Sequence, residues 1–223
     1  KKNIGFVVDE SCFHSCLTSK DIKHIMKHIY SDWNNSYFDL ILEKCNLNIN
    51  KKISDMSKGM KTKLMLAVAL SHDPDLLILD ELTSGLDPIM RDELLHVLKE
   101  FINNKNKSIL FSTHITSDLE KIADYIAFLH KGKLIFVKSL EELQKDFLLI
   151  KCSKNNYEQF DKENIFAQYE ENEKYILLVN SNLIIDSGTY ESKKVPTIDD
   201  IMLLHIKGEQ KIDWFNKKRF LTY

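Results

Sequence analysis

Stretches of apolar and polar residues alternate along the chain at changing periods, and each change of period marks an element. Lys2 to Val8 reads as a short strand, followed by a polar loop carrying Asp9, Glu10 and Ser11. Thr18, with Asp21 three residues on, has the form of a capping box opening a helix through Ile25 and Ile29. Asp39 to Cys45 is a second helical stretch. Leu64, Ala67 and Leu70 recur at helical spacing, so a helix is expected to start directly after Gly59, and Asp73-Pro74 ends it. Leu76 to Leu79 is a continuous apolar run, the pattern of a central parallel strand covered on both faces. Pro88 suits the first position of the next helix, whose inner face would be Leu94, Leu98 and Ile102. Ser108 to Phe111 reads as another buried strand, and Ser117 with Glu120 as another capping box. Tyr125 to Leu129 and Leu134 to Val137 flank Lys131-Gly132-Lys133, a hairpin turn.

Strands alternating with helices predict a layered α/β domain over residues 1–144. The character changes after about Gln144. Leu148 to Cys152 and Tyr175 to Val179 read as strands separated by polar sequence, and Pro196-Thr197 opens a helix through Ile201 and Leu204. Residues 145–223 are therefore expected to form a small α+β appendage.

Composition narrows the picture only a little. The chain has 223 residues, 43% of them hydrophobic and 29% charged, enough for a substantial core. A net charge of -2 gives no global attraction to nucleic acid or to an anionic membrane surface. No stretch approaches the roughly 20 apolar residues that cross a bilayer, so membrane contact is expected to run through a partner. The chain opens Lys1-Lys2 without a methionine, and a missing N-terminal segment is the expectation. Four cysteines make no disulfide framework at this length. Cys12, His14 and Cys16, with His24 and His28 downstream, could supply zinc ligands, but their spacing matches none of the usual ligand pairs. Free thiols and surface histidines are the plainer reading.

The segment Leu76-Leu77-Ile78-Leu79-Asp80-Glu81 carries the most chemistry. An apolar strand ending in two acids places carboxylates where α/β proteins bind ligands. In isolation the two acids could equally cap the following turn. Their context is more specific. Asp55-Met56-Ser57-Lys58-Gly59-Met60 precedes the strand by one helix, Ser84-Gly85-Leu86-Asp87-Pro88 follows it, and Phe111-Ser112-Thr113-His114 ends the next strand. In this order the four segments resemble the signature motif, Walker B, D-loop and H-loop of the ATP-binding-cassette (ABC) ATPases. The resemblance covers the central third of the chain and is nearest to exporter-type subunits whose signature reads Ser-Lys-Gly-Met.

The resemblance implies the fold of a P-loop NTPase and an ATPase that binds ATP and magnesium. Asp80 would hold magnesium, a hard ion that prefers oxygen, and Glu81 would orient or deprotonate the attacking water. His114 would contact the γ-phosphate; a lone histidine after a strand is otherwise structural. Ser57 and Gly59 would offer donors at a helix N-terminus to an anion, although Gly59 could be a turn residue. Lys58 stands where glycine is commoner, and either faces solvent or adds charge near phosphate. Asp87 would shape the loop between two nucleotide sites while capping its helix. The implied partners are a second ATPase subunit, in a homo- or heterodimer, and a transmembrane transporter subunit docked over Thr18 to Cys45. No nucleic-acid partner is expected. The implied location is cytoplasmic, peripheral on the inner face of the cell membrane.

Two positions depart from the family pattern. Ile4-Gly5-Phe6-Val7-Val8-Asp9 resembles the Q-loop, but Asp9 stands in place of glutamine and could still reach magnesium through an oxygen; Leu82 replaces a proline. The sequence contains no G-x-x-x-x-G-K-[ST], the P-loop, which in the family lies upstream of the Q-loop. Truncation is the expected reason, ahead of loss of function. A non-hydrolysing regulatory module and a nucleic-acid-associated ABC ATPase are the alternatives, the second disfavoured by the balanced charge and the lack of an inserted coiled coil.

Overall fold

Three apolar runs pair side by side: β1 (Ile4–Val7), β2 (Leu76–Asp80) and β3 (Ser108–Ser112) form a parallel sheet in the order β1-β2-β3. The computed structural model describes residues 3–8, 12–103, 106–183 and 188–210. The chain divides into two units, Lys1–Asp118 and Leu119–Tyr223. The division falls before the change of composition near Gln144, because Ile126, Phe128 and Phe136 pack into one core with Leu149, Leu178 and Leu204.

In the first unit, α1 (Ser19–Ile29) opens on the Thr18–Asp21 capping box, and α2 (Asn35–Lys44) is capped by Asn34. Helix α3 (Lys58–Leu70) is buried at every position from Thr62 to Leu70, so it is a core helix and not an amphipathic one. It begins at Lys58, capped by Ser57, which places Gly59 inside the helix and not before it. The reason is steric. A Cβ on Gly59 would lie 2.3 Å from Sδ of Met90, so glycine lets the first turn of α3 approach α4 (Pro88–Ile102). Pro88 does occupy the first turn of α4, and Phe101, not Ile102, completes its buried face with Leu94 and Leu98.

The sheet is covered differently from the sequence expectation. Leu77 and Leu79 are buried on one face, whereas Phe6 and Leu110 on the other are 59% and 62% exposed. Strand β3 is an edge strand among the described residues, and no position in it is fully buried. Gly5 of β1 fits where nothing larger could, since a Cβ there would meet Leu77 Cδ2 at 2.5 Å and the Ala69 carbonyl oxygen at 2.9 Å. Helix α5 (Thr116–Ile122) starts one residue before Ser117, so Ser117 is not its cap; the Asp118 N–H already bonds back to the Ile115 carbonyl.

In the second unit, β4 (Tyr125–His130) and β5 (Lys133–Ser139) form an antiparallel hairpin. Its turn has positive φ at both Lys131 (47°) and Gly132 (74°), the conformation that matches strand twist. Helix α6 (Leu140–Lys145) leads to β6 (Phe147–Ser153), the short α7 (Lys154–Tyr157), β7 (Ile165–Glu171), β8 (Lys174–Asn180) and β9 (Ser192–Lys194). Helix α8 (Ile198–Lys207) and β10 (Glu209–Gln210) follow, and the sheet runs β10-β7-β8-β6-β9. Buried Ile150, Ile165, Leu177 and Val179 line one side of it, and Ile198, Ile201 and Leu204 of α8 pack on the other.

Candidate functional site

The parallel register sets Asp80, the last residue of β2, beside Ser112, the last residue of β3. The Ser112 hydroxyl donates to an Asp80 carboxylate oxygen at 2.5 Å. The next residue, Glu81, has φ of 50°, a left-handed conformation that non-glycine residues rarely adopt. Ser112 holds that turn, since the Glu81 N–H donates to its carbonyl at 3.0 Å and to its hydroxyl at 3.3 Å. The left-handed turn sends the Glu81 side chain towards His114, whose Nδ1 lies 2.6 Å from Oε2 of Glu81. A carboxylate can only accept there, so Nδ1 carries the hydrogen. The structure thus links Asp80 to Ser112 and Glu81 to His114 at the C-terminal edge of the sheet. Ser112, not singled out from the sequence, joins all of this; its place opposite Asp80 appears only once the strand register is known.

The remaining predicted residues gather around two helix starts. Ser57 caps α3, its hydroxyl accepting from the Met60 N–H at a long 3.3 Å. Asp87 caps α4, one carboxylate oxygen accepting from the Ile89 N–H at 3.1 Å and the Met90 N–H at 3.0 Å. The two starts meet through the Gly59–Met90 approach and through Lys58, whose ammonium lies 3.6 Å from where a Cβ on Gly85 would stand. Gly85 has φ of 71°, so its loop needs glycine for conformation as well as for space. Lys58 therefore lies along the loop that precedes Asp87. Asp9 falls outside the described residues.

The donor set suits a magnesium nucleotide in part. Asp80, Glu81 and Ser112 present oxygen atoms at one edge, as a hard cation requires, and α3 presents N-terminal N–H groups with no acid in its first turn, as an anion requires. Among the described residues no three His, Cys, Asp or Glu side chains gather into a metal cluster, and Cys12 and Cys16 are free and exposed. None of the helices among the described residues is long and apolar enough to cross a membrane.

Comparisons with known proteins give the chain a family model, curated relatives and solved structures of similar fold. Residues 45–117 match the family model described as "AAA domain, putative AbiEii toxin, Type IV TA system". The chain is 35% identical over 156 residues to the lantibiotic transport ATP-binding protein SrtF of Streptococcus pyogenes, covering 66% of this chain and 67% of that protein. It is 35% identical over 144 residues to the bacitracin transport ATP-binding protein BcrA of Enterococcus faecalis, covering 64% of this chain and 47% of that one. The ABC transporter ATP-binding protein YtrB of Bacillus subtilis is 28% identical over 153 residues, 69% of this chain and 52% of that protein. The chain thus spans about half the length of BcrA and YtrB. The fold matches the solved dimeric post-hydrolysis state of the ATP-binding cassette MJ0796 bound to ADP and Pi, with a TM-score of 0.55 at 20% identity over 62% of this chain and 63% of that chain. It also matches a solved ATP-binding subunit of an ABC transporter, with a TM-score of 0.56 at 24% identity over 64% of this chain and 61% of that chain.

Proposed function

The chain belongs to the ATP-binding proteins of ABC transporters, and from that premise we propose that it supplies the hydrolytic residues of an ATP-driven motor for a membrane subunit. The observation that carries the reading is the hydrogen-bonded set Asp80, Glu81, Ser112 and His114 at the sheet edge. Asp80 would hold magnesium, usually through a water molecule, at the sheet edge. Magnesium, when bound, supplies positive charge against the phosphate oxygens. Glu81 orients the attacking water and takes its proton. His114, tethered to Glu81, keeps that carboxylate aimed and offers its other ring nitrogen to the terminal phosphate. Asp9, in the segment that resembles the Q-loop, would offer a further oxygen to the same cation.

Ser57, Lys58 and Gly59, at the start of α3, present donors and positive charge to the nucleotide held by a second subunit, and Asp87 shapes the loop between the two sites. The dimeric cassette matched by the fold supports pairing. A P-loop segment, joined to this chain in the full-length protein, completes the phosphate cradle. The open apolar face carrying Phe6 and Leu110 supports such a cover. Exposed Ile25 and Ile29 on α1 and Leu40 on α2 support docking of a transmembrane subunit there, at the inner face of the cell membrane. Export is the favoured direction, because Ser57-Lys58-Gly59-Met60 resembles the signature of exporter-type subunits.

The test is ATP turnover with magnesium. The full-length protein should hydrolyse ATP, and residues 1–223 alone should not, because the main ligands of the β- and γ-phosphates come from the P-loop. A full-length protein that binds ATP without turnover would replace this reading with a regulatory module.

A further inference from the structure

We propose that Ser112 is a positioning residue that fixes the Asp80 carboxylate for a divalent cation and the Glu81 backbone for catalysis. The inference deepens the ATPase reading above and rests on it. A serine hydroxyl has one hydrogen to give, and two acceptors are within range: the Asp80 carboxylate at 2.5 Å and the Leu79 carbonyl at 3.5 Å. The shorter bond, to the Asp80 carboxylate oxygen, takes it. The oxygen lone pairs are then left to receive the Glu81 N–H at 3.3 Å, which the Ser112 carbonyl shares at 3.0 Å. One residue therefore orients the side chain of one acid and the main chain of the next.

The hydroxyl engages one of the two Asp80 carboxylate oxygens, so the other can still meet a cation in a fixed direction. Side chains that orient a ligating carboxylate in this way commonly control metal affinity without touching the metal. The same residue stabilises the left-handed Glu81, whose conformation sends its carboxylate to His114. Removing the hydroxyl frees the Asp80 rotamer and takes one of two acceptors from the Glu81 N–H. Alanine at this exposed strand end leaves the buried core untouched, so the fold is expected to survive.

The experiment titrates magnesium against binding of a fluorescent ATP analogue to the full-length protein, comparing wild type with Ser112→Ala, Ser112→Thr and Asp80→Ala. Ser112→Ala should raise the magnesium midpoint about tenfold, with nucleotide affinity in EDTA unchanged and a cooperative unfolding transition retained. Ser112→Thr, which keeps the hydroxyl, should return the midpoint to near the wild-type value. A wild-type midpoint in Ser112→Ala, while Asp80→Ala loses the magnesium response, overturns the positioning role and leaves the ATPase reading standing. A threonine variant as impaired as alanine overturns it too, by showing a packing role. Wild-type protein with no magnesium-dependent binding overturns both readings together.

Discussion

His114 and Glu81 are hydrogen-bonded to each other at 2.6 Å, although 33 residues separate them in sequence. The bond ties the loop after β3 to the end of β2, so the two side chains cannot be repositioned independently.

His114→Ala should therefore act partly through Glu81. Loss of the imidazole would remove the proposed phosphate contact and break the bond that holds the glutamate in its rotamer. Turnover of the full-length protein should fall about 100-fold or more, the scale of a lost hydrogen-bond donor to the transition state, with nucleotide affinity changed far less. Steady-state turnover beside equilibrium nucleotide binding separates the two effects, and an equal fall in both would place His114 in binding alone.

Gly5→Ala should destabilise the chain, whereas Gly59→Ala should be tolerated better. At Gly5 the new Cβ meets the Ala69 backbone carbonyl, which cannot move without moving α3. Overpacking of this kind costs about 1–3 kcal/mol. At Gly59 the obstacle is the Met90 thioether, a flexible side chain that can turn away, and alanine recovers about 1 kcal/mol of helix propensity. Urea unfolding of the two variants should rank them in that order.

The α8 cap should make stability depend on acid. Burial pushes the Asp200 carboxyl up, but hydrogen bonds from Lys194 and from the Thr197 backbone and hydroxyl outweigh it and hold the group below its ordinary 3.8. A lowered folded value means the contribution is present above pH 3.8 and lost as pH falls through the folded value. Asp200→Asn should thus lower the unfolding midpoint at pH 7, and the gap to wild type should close as pH falls below 3.8. A gap independent of pH would assign the effect to packing of α8 instead.

Local signals were legible in the sequence, and pairing between distant segments was not. Thr18 with Asp21, Pro88 after Asp87, and Lys131-Gly132 each specify a cap or turn within a few residues, and the structure forms all three. Ser117 with Glu120 has the same form, yet α5 starts at Thr116, because a backbone bond from Asp118 to Ile115 opens the helix first. Ile165 to Glu171 forms β7 in a stretch that reads as polar, since pairing with β8 supplies what its own pattern lacks. The acids and the histidine could be found by motif. Ser112 could not be told from a neighbour of the motif until the register placed it opposite Asp80.

The composite-site reading has its own test, which separates hydrolysis from pairing. Glu81→Gln keeps the shape and one acceptor of the side chain but removes the charge that activates water, so turnover should nearly vanish. It also removes a negative charge from the region facing the triphosphate, which lowers the repulsion that closing two subunits must overcome. The ATP-bound dimer of the full-length protein should therefore live longer, visible as a dimer peak in size-exclusion chromatography with ATP and magnesium. Ser57→Arg places a bulky cation at the start of α3, where the hydroxyl now caps the helix. It should block closure, leaving monomers that still bind ATP. Adding Ser57→Arg to Glu81→Gln should abolish the long-lived dimer. Normal turnover in Glu81→Gln would remove Glu81 from the catalytic role, and a dimer that survives Ser57→Arg would remove the α3 start from the shared site. Only a nucleotide held between Glu81 of one subunit and Ser57 of the other predicts that the first substitution prolongs pairing and the second undoes it.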